Sequence, residues 1–371
     1  MTGSVASNSR ALRQLHAIAP LAQTVTVVTQ EPIAAEAVLG DDFDVLGYPA
    51  SDRDGPMYFW ENHKAISQVI EGLRPTLFHA ADLYVLPAVQ RAASTAGSAL
   101  VYDARELYPF VAGTVGKPWA TFFWQMVESH FIKAADLVLT VNDGIAGRLV
   151  AAYGIERPFV LPNVPPFQEV VPANDWLRRK FALTKDTVVL LHQGHLKAGR
   201  GCSALISAMA DVEKAALVFL GGGPLLERLK AAVQRGHLGD RVFFHPPVPY
   251  EQLLPITATA DMGITMLEDI CLNHRFALPN KLFEYLMAGL PVLGSDLPEI
   301  SAVINRFSVG FTVDPSDRHE LVRALNRIVE RPYERAEWKE NTPLVFEKWD
   351  WEGPARNMVS HYALLLERHH A

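Results

Sequence analysis

Cysteine is nearly absent from this chain. Two residues in 371, Cys202 and Cys271, lie far apart and outside any metal-ligand spacing, and they read as two reduced thiols of a cytoplasmic protein. Positive charge is also in deficit. Against 41 Asp and Glu there are 34 Lys and Arg, a net charge of −7, so no broad basic surface is left to neutralise a nucleic acid, and nucleic acid is excluded as the main partner. No apolar run reaches the roughly 18 residues of a membrane span. The amino end lacks the charged start and continuous apolar core of a signal peptide. Also missing are His-Glu-x-x-His, paired-cysteine, Ser-His-Asp and Asp-x-Asp patterns, and no Gly-x-Gly-x-x-Gly follows a first strand. These absences argue against a metal or dinucleotide enzyme. They point to a cytoplasmic protein without metal or resident cofactor.

What is present is the pattern of an α/β enzyme. Hydrophobic residues make up 49% of the chain and charged residues 20%, ordinary values for a globular protein. Short apolar runs predict strands at Thr24–Thr29, Asp44–Tyr48, Thr76–His79, Ala99–Tyr102, Leu137–Val141 and Phe159–Leu161. A second series follows at Val188–His192, Ala216–Leu220, Arg241–Phe244, Met262–Met266, Leu290–Gly294 and Val309–Val313. Amphipathic stretches between the runs imply βαβ units, parallel sheets and two domains. The boundary falls near Pro162–Phe167, where three prolines interrupt any regular element. The division is residues 1–163, residues 164–345 and a last helical stretch in 346–371. On that stretch Met358, Tyr362, Leu365 and Leu366 share one side. One irregularity stands out. A Rossmann-like domain begins with a strand, yet this chain passes from Met1-Thr2-Gly3-Ser4 almost at once into the helical stretch Ser9–Leu21. The first strand is missing. The simpler account is a start lying about ten residues upstream, by usual strand and loop lengths. The alternative is that Thr24–Thr29 takes the central place.

The richest segment is Ala277–Glu299, ALPNKLFEYLMAGLPVLGSDLPE. A Pro-Asn-Lys turn opens a short helix, Glu284 lies about one turn in, and Gly289 ends it. A helix start at Asn280, Lys281 and Leu282 presents backbone N–H groups and the positive end of the helix dipole, which suits a phosphate. The acid one turn on suits sugar hydroxyls. A second phosphate-like turn follows the strand Val188–His192, with Gly194, Lys197, Arg200 and Gly201 ahead of a helix. Cys202, just after it, reads as a small packed residue rather than an activated thiol. Gly221-Gly222-Gly223-Pro224 makes a tight strand-to-helix turn that needs no ligand to explain it. In the first half, Asp103, Arg105 and Glu106 end a predicted strand, where α/β sheets place ligands, with His79 on the same edge. A local ion-pair cluster of Asp103, Arg105 and Glu106 is the competing reading. Trp119, Phe122, Phe123 and Met126 follow helical spacing, which fits a core helix better than a membrane-facing one.

The Ala277–Glu299 segment closely resembles the donor-binding stretch of the retaining family-4 glycosyltransferases (group 1), which have the GT-B fold. Glu284 and Gly289-Leu290-Pro291-Val292 match the family pattern, while Phe276 stands where its first glutamate would fall. The resemblance implies two Rossmann-like domains facing across a cleft, with the last helix crossing back to the first. It also implies transfer of a sugar from a nucleotide diphosphate-sugar to a glycan, lipid-linked or small-molecule acceptor. The transfer would retain configuration and need no metal. Arg200 with Gly201 corresponds to the basic grip on the diphosphate, with His195 or Lys197 as the second position. The backbone around Val248, in His245–Tyr250, would line the base pocket. Arg105 replaces a histidine that faces the reacting centre and could stabilise an anion there. The catalytic candidates are therefore Arg105, Arg200 and Glu284. The resemblance also leaves room for peripheral membrane association at the cytoplasmic face, since many relatives use lipid-linked acceptors. A catalytically weak scaffold or partner subunit of the same fold is the alternative, motivated by Phe276 and Arg105.

Overall fold

The computed structural model describes residues 2–6, 8–53 and 55–370, so Met1 of the opening segment and Ala371 lie outside the described residues. The chain separates into two compact units. One comprises residues 1–163 with 352–371, the other residues 164–351.

The second unit is a six-stranded parallel sheet. Its strands are β7 (Val188–Gln193), β8 (Ala215–Leu220), β9 (Val242–His245), β10 (Met262–Thr265), β11 (Val292–Ser295) and β12 (Gly310–Val313). Their spatial order is β12-β11-β10-β7-β8-β9, with β7 and β10 adjacent at the point where strand order reverses. Both faces are buried. Leu190, Leu217, Phe219 and Ile264 pack into one core, and the alternate residues Val189, Leu191, Val218 and Leu220 into the other. That explains why these strands read as unbroken apolar runs rather than alternating ones. Each fully buried leucine or phenylalanine contributes roughly 1.5–3 kcal/mol relative to exposure.

In the first unit the strands are β1 (Thr26–Thr29), β2 (Asp44–Gly47), β3 (Leu77–Ala80), β4 (Ala99–Asp103), β5 (Leu137–Thr140) and β6 (Phe159–Val160). All pairings are parallel, but they form two separate sheets, β1-β2 and β3-β4-β5-β6. No strand among the described residues joins β1 to β3, so Thr26–Thr29 does not complete a continuous sheet. Helix Ser9–Ile18 is followed by a 3-10 turn at Ala19–Leu21. The last helix, Glu352–His370, belongs to this unit and buries Met358, Tyr362 and Leu365. Tyr362 Oη lies 2.7 Å from His79 Nδ1, and Phe159 meets His361 edge-on at 5.0 Å between ring centroids.

The aromatic stripe departs from the sequence reading. On helix Pro118–Phe131, Trp124 is buried, but Trp119, Phe122, Phe123 and Met126 are 48–62% exposed. The helical spacing was real, and the favoured core assignment was wrong. Periodicity identifies an apolar face without telling what covers it.

Candidate functional site

β7 ends on His192 and Gln193, and both are buried. Gln193 is held at three points. Its backbone N–H donates to Tyr285 Oη at 2.9 Å, its Oε1 accepts from Thr257 Oγ1 at 2.9 Å, and its Nε2 donates to Glu284 Oε2 at 2.6 Å. Tyr285 in turn donates to the carbonyl of Ile264 on β10, 3.2 Å away. Helix Asn280–Met287 is thus pinned to the carboxyl ends of β7 and β10, and one oxygen of Glu284 is fixed in place.

One turn earlier, Lys281 Nζ lies 3.4 Å from His192 Nε2, and Cys202 Sγ is 3.7 Å from the same nitrogen. Burial, then the nearby charge of Arg200, lowers the Lys281 pKa to about 7. Burial also drives His192 well below its ordinary range, assisted by Lys281 and Arg200. Two cationic side chains therefore share a partly desolvated pocket around a neutral imidazole. Cys202 is packed, and burial pushes its thiol up to about 11, so it stays protonated.

The loop after β10 closes over the Gly194–Gly201 turn. Glu268 N–H donates to the Gly199 carbonyl at 3.0 Å, and Glu268 Oε1 accepts from Gly201 N–H at 3.1 Å. Gly201 has φ +65°, and a Cβ there would stand 2.4 Å from Met266 Cβ, so only glycine fits. The triglycine turn serves the same loop. A Cβ on Gly221, at φ +150°, would meet the Gly194 carbonyl oxygen at 2.1 Å, and Leu196 N–H donates to the Gly222 carbonyl at 2.8 Å.

The structure gathers Gly194, Arg200, Lys281 and Glu284 around His192 and Gln193. Asn280 opens the helix as expected. Leu282 contributes differently: its side chain is buried in the core and its N–H already donates to the Pro279 carbonyl at 3.0 Å. Lys197 is exposed, and with Arg200 its charge depresses the His274 pKa, although burial is the larger cause. Val248 is half-buried and packs on the second unit's core. Sequence reasoning missed His192, Gln193 and Glu268. His192 was read only as the end of an apolar strand and Gln193 only as the start of the glycine-rich turn, and Glu268 was given no role of its own.

In the first unit, Asp103 does not pair with its neighbours. Arg10 donates to both of its oxygens at 2.9 Å, and Gln14 adds a third bond at 3.1 Å. Burial would raise the Asp103 pKa, but the Arg10 charge and hydrogen bonds outweigh it and hold the carboxyl below its usual range. Arg105, half-buried, donates from Nε to Tyr108 Oη at 3.3 Å, and the Tyr108 phenol chiefly keeps it protonated against burial. Glu106 is exposed. His79 is turned to Tyr362, and burial lowers its pKa to about 4.

The family model described as "Glycosyl transferases group 1" matches residues 174–345, and that described as "Glycosyl transferase 4-like domain" matches residues 6–164. The chain belongs to the family-4-type glycosyltransferases. Its fold is the GT-B fold of that family, two Rossmann-like units. Sucrose-phosphate synthase from Thermosynechococcus elongatus superposes with a TM-score of 0.80 at 18% identity, over 99% of this chain and 96% of that one. HepE from Anabaena, solved in complex with UDP-glucose, does so with a TM-score of 0.78 at 16% identity, over 98% of both chains. Among curated relatives, the D-inositol 3-phosphate glycosyltransferase of Acidothermus cellulolyticus is 25% identical over 252 residues, 63% of this chain and 54% of that one. The chain spans about half the length of the curated relatives it matches. In this family member the group 1 region contains the whole His192–Glu284 cluster.

Proposed function

We propose that this protein transfers a sugar from a nucleoside diphosphate-sugar to an acceptor hydroxyl, with retention of configuration and without a metal. The observation that carries this reading is the convergence of Arg200, Lys281 and the start of helix Asn280–Met287 on one pocket, with Glu284 held beside them by Gln193. Cations and a helix dipole at one place are what a departing diphosphate requires. A carboxylate fixed next to them can accept hydrogen bonds from ribose or sugar hydroxyls. A solved structural neighbour bound to UDP-glucose supports a nucleotide-sugar of that kind as donor. The first unit would serve the acceptor, with Arg105 stabilising negative charge. A cytoplasmic location accords with the fold, and no helix among the described residues is long and apolar enough to cross a membrane. The exposed Trp119, Phe122, Phe123 and Met126 support peripheral attachment to a lipid surface, checked by flotation with phospholipid vesicles. Calorimetric titration with a panel of nucleotide sugars tests the donor site. Lys281→Met should weaken the tightest binder about 10- to 100-fold with the fold intact. Equal affinity of wild type and variant would overturn the assignment.

Phe276 favours a second reading, a catalytically weak subunit, since a phenyl ring cannot hold a sugar hydroxyl. Donor binding without hydrolysis or transfer would select it.

A further inference from the structure

Arg200 stands between two glycines, Gly199 at φ +78° and Gly201 at φ +65°. The freedom that lets such a turn fold so tightly also leaves its one cationic side chain without a fixed direction. Something outside the turn has to hold it. The stretch that follows β10 lies directly against it. A Cβ on Gly199 would meet His274 Cε1 at 2.7 Å and Ile270 Cδ1 at 2.8 Å, and one on Gly201 would meet Met266.

Within that stretch one residue makes both directional contacts. Glu268 N–H donates to the Gly199 carbonyl at 3.0 Å, and Glu268 Oε1 accepts from Gly201 N–H at 3.1 Å. The Gly199 carbonyl belongs to the peptide before Arg200, and the Gly201 N–H to the peptide after it. Fixing both peptide planes fixes the two backbone dihedrals of Arg200, and with them the direction of its Cα–Cβ bond. Glu268 is itself anchored on either side. Leu267 N–H donates to Ser295 Oγ, on β11, at 2.6 Å. The Glu268 carbonyl lies 2.9 Å from Nδ1 of the buried His274, in the short helix Leu272–Arg275. A carbonyl can only accept, so Nδ1 carries the proton in that bond. A continuous path therefore runs from the sheet, through Leu267 and Glu268, to the backbone of Arg200.

We propose that Glu268 is a positioning residue for donor binding, one that aims Arg200 at the diphosphate by clamping the peptides on either side of it. The proposal rests on the donor reading given above. It is tested by calorimetric titration of the full chain and its variants with UDP, GDP and ADP. Glu268→Ala should weaken the tightest of these about 10-fold, and so should Glu268→Asp, whose carboxylate is one methylene short of Gly201 N–H. Glu268→Gln keeps an oxygen that can accept from Gly201 N–H, and its affinity should stay within about threefold of wild type. The aspartate variant carries the test should the alanine variant fold poorly. In an Arg200→Ala background, Glu268→Ala should cost less than about twofold, because nothing is left to aim. Wild-type affinity in both shortened variants would overturn the proposal. So would an equal loss in the Arg200→Ala background, which makes Glu268 merely structural, or a glutamine variant as weak as the alanine one, which assigns the effect to charge. A wild type that binds none of the three diphosphates would instead overturn the donor reading, and the proposal with it.

Discussion

Lys281 holds its proton weakly because burial and Arg200 disfavour the charge, leaving its pKa at about 7. A bound diphosphate reverses that balance, so binding should draw in a proton where the free side chain is neutral. At pH 8 the calorimetric enthalpy of UDP binding should vary with the ionisation enthalpy of the buffer, in the sense of proton uptake. Affinity should fall as pH rises from 7 to 9, and Lys281→Arg should abolish both effects. Arg105 makes a different test. Its side chain donates a long hydrogen bond to Tyr108, so Arg105→Ala should reduce turnover about 100-fold while moving the melting temperature little. A large fall in melting temperature with turnover per folded molecule preserved would make it structural. At this scale the sequence was only partly legible. Lys281, Arg200 and Glu284 could be read because they stand on turn and helix-start patterns. Gln193 and His192 could not, because their roles arise from partners some ninety positions away, Glu284 and Lys281. The pairing of Asp103 with Arg10 was hidden for the same reason.

Elements were far easier to read. Each of the twelve strands expected from apolar runs is present with ends shifted by no more than two residues, and the fully buried ones, such as β7 and β8, have the most distinctive composition. Helix Pro118–Phe131 shows what such patterns leave out. It presents exposed aromatics on one side and buries Glu128 on the other, where Tyr102 and Tyr153 donate to its two oxygens at 2.7 and 2.8 Å. Burial raises the Glu128 pKa to about 7 despite those bonds. The folded state therefore binds a proton that the unfolded chain releases near its ordinary carboxylate value. This contribution to stability is complete below about pH 4.5 and is lost as pH rises through about 7, with an upper bound of about 3 kcal/mol. Urea unfolding at pH 5 and pH 7.5 should show that decline, and Glu128→Gln should flatten it.

At the scale of the whole molecule, helix Glu352–His370 decides how the chain comes apart. It follows the second unit in sequence yet buries Met358, Tyr362 and Leu365 in the first. Deleting residues 352–371 should lower the unfolding temperature of the first unit and leave that of the second nearly unchanged. Scanning calorimetry would then resolve two transitions, and a single unaltered one would contradict the assignment.

The same helix imposes an order on birth. At about 5–20 residues per second a ribosome needs roughly 10–40 s to make the intervening residues 164–351, and for all that time the first unit waits without its closing helix. The second unit can mature on the ribosome. The first, though synthesised earlier, reaches its native state only after residues 352–370 have emerged, so in the nascent protein it is the unit that depends longest on chaperones.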